Sequence, residues 1–100
     1  MHYLLLYEVS PDYLQRRGAF RDEHLALAWD AASRGELILG GALTDPADGA
    51  VLLFEADSPD VPAAFAKADP YVLNGLVVKW TVRGWHTVVG PKAHAPVHPS

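Results

Sequence analysis

Two short stretches carry the residue types that general acid–base chemistry needs. "FRDEHLALAWDAASRG" holds His24, and "FAKADPYVLNG" holds Asp69 directly before a proline. An imidazole can take up and release a proton near neutral pH. A carboxylate bonded to its second nitrogen fixes the tautomer and raises the basicity of the first. Each residue also has a plainer explanation. At about 100° per residue, His24 falls near the rim of an apolar helix stripe, where a half-exposed histidine is ordinary. An Asp before Pro commonly opens a helical turn, its carboxylate capping free N–H groups while Pro needs none. Capping and orienting are compatible, because a carboxylate offers about four acceptor positions. Spacing alone leaves both readings open.

Arg17, Arg21 and His24 follow i, i+4, i+7 and share one side of a helix, provided that helix runs through Gly18. Other candidates are weaker. His2, His86, His94 and His98 lack metal-ligand spacing with carboxylates and read as solvated. Ser33 and Ser58 have no nucleophile-elbow context, and Ser58 is explained by capping. Gly40-Gly41 lacks the Lys-Ser/Thr and helix start of a phosphate loop. Trp29, Trp80 and Trp85 read as core or dimer contacts, since an acidic chain is a poor platform for nucleic-acid bases.

The elements that must position these residues follow from periodicity. "HYLLLYEV" at 2–9 is a strand stopped by Ser10-Pro11, with Ser10 and Pro11 expected to cap and begin a helix. Residues 12–34 are helical in character, with Gly18 as a weak point. Leu25, Ala28, Trp29 and Ala32 form one apolar stripe, and Arg34-Gly35 ends the run. "ELILGGAL" and "AVLLFEA", joined by the turn "TDPADG", read as hairpin strands at 36–43 and 50–56. Gly40-Gly41 inside the first marks a bulge or a close approach to the backbone. A second helix runs from 59 or 61 to 68, with Ser58 or Asp60 as cap. In the last strand Leu76, Val78, Trp80 and Val82 alternate with Val77, Lys79, Thr81 and Arg83. The order is βαββαβ, a ferredoxin-like α+β fold: an antiparallel sheet with two helices on one face. The other face must meet a second subunit or a ligand. Residues 1–88 form the domain, and 89–100 read as a flexible tail.

Composition narrows the classes. The chain has 100 residues, half of them hydrophobic, a formal charge of −4 and no cysteine. One core of that size leaves little stability to spare, which makes a homodimer a reasonable expectation. No basic stripe favours nucleic acid, and disulfide or thiolate chemistry is excluded. The opening apolar run is too short to span a membrane and lacks a basic start, so a cytoplasmic location without membrane attachment is expected.

At this point the chain resembles the YCII-related (YciI-like) family of small bacterial α+β proteins. The resemblance rests on "HYLLLYE", "RDEHLALA", "GELILGGAL", "AFAKADPYVLNGL" and "VVKWTVRGW", in that order and up to about residue 86. It implies a ferredoxin-like dimer of the dimeric α/β-barrel group, packed sheet to sheet. It also implies a site built on a histidine–aspartate pair, which maps to His24 and Asp69. Tyr7, Arg21, Gly41 and Tyr71 lie in the matching motifs and would line the same cleft. A relative that dehydrochlorinates a chlorinated hydroxyquinone implies that acid–base chemistry can be run on this fold.

Three functions then compete. The first is an enzyme acting on a small organic molecule without cofactor or metal, by elimination, hydrolysis or isomerisation. The second is a non-catalytic ligand-binding or accessory module using the same cleft. The third is a cofactor-free monooxygenase-like protein, favoured less by the "ADPY" and "RDEHL" motifs.

Overall fold

The computed structural model describes residues 1–100. Strand β1 (His2–Val9) is followed by a short helix α1 (Tyr13–Arg16), a 3₁₀ turn (Arg17–Ala19) and the longer α2 (Arg21–Ser33). The hairpin β2 (Leu37–Ala42) and β3 (Gly49–Glu55) comes next. Helix α3 (Asp60–Ala68), one-turn helix α4 (Pro70–Leu73) and strand β4 (Val77–Trp85) complete the chain. The sheet order is β2-β3-β1-β4, and every neighbouring pair is antiparallel. This is the ferredoxin-like α+β arrangement expected from the βαββαβ order.

Alternation along β1 decides which residues reach the core. Tyr3, Leu5 and Tyr7 are buried, while Leu4 and Leu6 on the opposite face are only half-covered. Leu5 and its neighbours Leu52 and Phe54 meet Phe65 and Ala66 of α3 and Ala31 of α2. The Phe54 and Phe65 rings pack edge-on at 5.5 Å. Burying a side chain of this size stabilises the fold by about 1.5–3 kcal/mol. Helix α2 ends in a Schellman motif: the Glu36 and Gly35 N–H groups reach the Ala31 and Ala32 carbonyls, with Gly35 at φ +79°.

The structure departs from several expectations. Ser10 and Pro11 precede α1 instead of opening it; the Ser10 hydroxyl donates to the Asp12 carboxylate, and the helix starts at Tyr13. The helical run breaks across Arg17–Phe20, at the weak point expected at Gly18, so the condition for Arg17 and Arg21 to share one continuous helix is not met. Only half of the stripe meets the core: Ala28 and Ala32 pack half-buried against it while Leu25 and Trp29 are exposed, and Ala31 is the only fully buried residue of α2. Trp29 is 73% exposed, so of its two readings, core or dimer contact, the core one does not hold. The bulge in β2 lies at Ile38, where the register slips between Leu37 and Leu39, and not at the glycines. A second slip between Val77 and Lys79 skips Val78, which turns outward and breaks the expected alternation.

After β4 the chain doubles back. The Ala95 N–H bonds the Thr87 carbonyl and the Val97 N–H bonds the Val88 carbonyl. His2, read as solvated, is 8% exposed and pairs through Nδ1 with the Thr87 hydroxyl at 2.7 Å. Its β1 position places it under the returning segment, a contact that sequence spacing does not reveal.

Candidate active site

Asp69 sits between α3 and α4, and Pro70 fixes its backbone in an extended conformation. Its side chain is 0% exposed and accepts three hydrogen bonds. The Tyr71 N–H reaches Oδ1 at 3.0 Å, which is the expected cap. His24 Nδ1 reaches the same oxygen at 2.8 Å, and the Tyr7 hydroxyl donates to Oδ2 at 2.7 Å. The plain reading and the functional one therefore describe the same carboxylate. An ionised carboxylate only accepts, so Nδ1 of His24 is the donor, and in the neutral imidazole Nε2 then holds the lone pair.

The stack on His24 is equally definite. Its ring lies 4.0 Å from the Tyr71 ring, with planes 6° apart, and Tyr13 meets Tyr71 edge-on at 5.9 Å. The His24 side chain is 17% exposed and borders a cavity of about 440 Å³. Tyr7, Arg21, Gly41 and Tyr71 line that cavity as well, so the chain brings the expected site residues together. Asp69 does not line it; the carboxylate stands behind His24.

Arg17 lines the cavity too, reaching it from the 3₁₀ turn while lying 5.5 Å over the Tyr13 ring. Its spacing to Arg21 and His24 pointed there, although the helix assumed for that spacing is broken. Tyr13 carried no sequence signal beyond its aromaticity. Among the arginines and lysines, ion pairs engage only Arg16, Arg34 and Lys79, so Arg17 and Arg21 have no carboxylate partners. Two guanidinium groups without carboxylate partners beside a cavity make it attractive to an anion.

Burial pushes the Tyr7 phenol well above its usual range, and the negative charge and hydrogen bond of Asp69 add to the effect. Tyr7 therefore stays a hydroxyl donor at any physiological pH. The Tyr71 phenol is also raised, first by burial, while the Arg21 guanidinium pulls the other way.

The family model of the YCII-related domain matches residues 1–86. The chain belongs to that family. A solved structure with the same fold is the 5-chloro-2-hydroxyhydroquinone dehydrochlorinase of Burkholderia phenoliruptrix AC1100, in complex with 2,5-dihydroxybenzoquinone. It is 25% identical to this YCII-related chain, with a TM-score of 0.73, and the likeness covers 87% of this chain and 95% of that one. No curated protein sequence matches significantly. No helix of this YCII-related chain is long and apolar enough to cross a membrane.

Proposed function

We propose that this YCII-related protein is an acid–base enzyme acting on a small organic anion, with His24 as the proton-transfer group. The observation that carries the reading is the three-donor clamp on Asp69, which commits Nδ1 of His24 to donation and leaves Nε2 as the free nitrogen of a side chain that borders the cavity. Asp69 and Tyr7 act as positioning residues, while Arg21 and Arg17 hold the anion. In an elimination, Nε2 takes a proton from carbon, the C–H electron pair forms the new double bond, and the leaving group departs with its own pair. The imidazolium then returns its proton to solvent. The guanidinium groups stabilise negative charge that develops on the substrate. The named activity of the structural neighbour supports elimination over hydrolysis or isomerisation. A homodimer packed through the open sheet face belongs to the same proposal.

The test is turnover of 5-chloro-2-hydroxyhydroquinone and of small β-substituted keto acids by wild type and His24→Asn. A positioned base contributes about 10²–10⁴-fold, so kcat/KM should fall by that factor. Equal kcat/KM in the two proteins would remove His24 from the chemistry. Ligand binding with no turnover of any substrate would make the protein a binding module instead.

A further inference from the structure

The cavity does not end at His24. Its lining follows α2 from Arg21 to Ala32, about 16 Å at 1.5 Å per residue. Beyond the arginines that wall is carbon: Leu25, Ala28, Trp29 and Ala32, with Ile38 and Leu39 of edge strand β2 also lining it. Trp29 is 73% and Leu39 70% exposed, although both border the cavity that contains His24. Leu25 and Trp29 of the α2 stripe are thus spent on a gutter, whose floor at Ala28 and Ala32 also packs against the core. Contiguous exposed apolar surface of this kind marks a contact to be covered. Charge is confined to one end of the lining, where Arg17 and Arg21 have no carboxylate partners.

We propose that the ligand is an amphiphilic organic anion. Its charged end lies by Arg17 and Arg21, and an alkyl or aryl arm lies in the gutter between α2 and β2. A cavity of about 440 Å³ is in the size range of small-molecule sites and exceeds what a small charged head alone would fill. The continuity of the apolar gutter with the arginine end favours one ligand spanning both. The inference rests on the anion-binding part of the proposed function and does not require His24 to be catalytic.

The experiment is calorimetric titration of the full chain with straight-chain carboxylates from acetate to decanoate, below their micelle concentrations. Each methylene entering the gutter should tighten binding about fourfold, the equivalent of about 0.8 kcal/mol, until the gutter is full. Trp29→Ala removes an exposed wall and should flatten that dependence. Ala28→Leu narrows the gutter and should make it level off at shorter chains. Circular dichroism and thermal midpoints establish that both variants remain folded. Equal affinity from acetate to decanoate overturns the proposal, as does a dependence that neither variant changes. A flat series together with a change of oligomeric state in Trp29→Ala also overturns it, by assigning the gutter to a second copy of the chain. His24→Asn should keep the chain-length dependence; if it also keeps full turnover, the acid–base reading fails while this one stands.

Discussion

The imidazole of His24 lies flat against the ring of Tyr71, 4.0 Å away and 6° from parallel. Asp69 links the two a second time, since one carboxylate oxygen receives both the Tyr71 N–H and His24 Nδ1. The helix cap and the histidine are therefore one assembly. Pro70 sets the turn, the turn sets the carboxylate, and the carboxylate and the Tyr71 ring together set the imidazole. Rotation of His24 would forfeit both the charge-assisted hydrogen bond and the stack.

Replacing Asp69 by Asn tests the orienting role. The side-chain oxygen of Asn can still cap Tyr71, so α4 should survive. That oxygen is also the one that receives His24 Nδ1, so the amide nitrogen then faces the Tyr7 hydroxyl and His24 is left with a neutral acceptor in place of a carboxylate. We expect kcat/KM to drop by about 10²-fold or more. The ¹⁵N shifts of His24 should show a smaller share of the Nδ1–H tautomer, because a neutral amide oxygen holds that proton less firmly than a carboxylate. Unchanged ¹⁵N shifts would show that Asp69 does not set the proton position.

Tyr7→Phe removes the donor to Oδ2 and leaves a buried carboxylate oxygen without a partner. Loss of such a partner costs about 1–3 kcal/mol, which chemical denaturation can read. Turnover should fall because Asp69 is then held by fewer contacts. A full retention of stability would mean that water replaces the hydroxyl.

The same phenol gives a sign for alkaline stability. Its folded pKa lies above its unfolded value, so the folded state keeps the proton when the unfolded chain has lost it. The contribution is complete below about pH 10, the ordinary tyrosine value, and is lost as pH rises from there toward the folded value. Stability should fall above about pH 10, and less steeply in Tyr7→Phe. Some slope should remain, because Tyr71 is raised as well. Parallel denaturation curves for both proteins across that range would contradict the assignment.

The parts of this fold that were legible in the sequence are those with local causes. Strand β1, the hairpin, the Arg34-Gly35 stop and the break near Gly18 each follow from periodicity or from glycine and proline chemistry. The cap on α4 was equally readable, because Asp-Pro acts within its own turn. The second use of that carboxylate was not, because His24 is 45 residues away and Tyr7 is 62. Spacing cannot rank such pairs; the resemblance to a family did. Leu25 and Trp29 of the α2 stripe misled for a related reason. Apolar residues at helical spacing identify a face to be covered, but not what covers it. The slips at Ile38 and Val78 depend on cross-strand pairing and leave no pattern within one strand.

Two glycines should respond oppositely to alanine. A Cβ on Gly49 would lie 2.6 Å from the Tyr7 carbonyl oxygen, a backbone atom that cannot step aside alone. We expect Gly49→Ala to cost about 1–3 kcal/mol, as overpacking does, and to impair turnover by displacing the strand that carries Tyr7. A Cβ on Gly18 meets nothing within 4 Å and its φ is not positive. Gly18→Ala should be neutral or stabilising by about 0.4–1 kcal/mol. Equal thermal midpoints for wild type and Gly49→Ala would show that the strands can separate at little cost.

The open sheet face supplies the last test. Leu4 stands opposite Leu53 and Leu6 opposite Val51, so four half-covered aliphatic side chains form one patch away from the helices. A second copy laid on this patch would bury it in both partners at once, as a two-fold interface does. Analytical ultracentrifugation should then find a dimer at micromolar concentration. Leu6→Glu with Leu53→Glu places unpaired charge at the centre of that contact, where desolvation is costly, and should give a folded monomer. The α2 gutter lies away from these side chains, so carboxylate binding should survive in the monomer. A wild-type chain that sediments as a monomer would remove the sheet-to-sheet dimer.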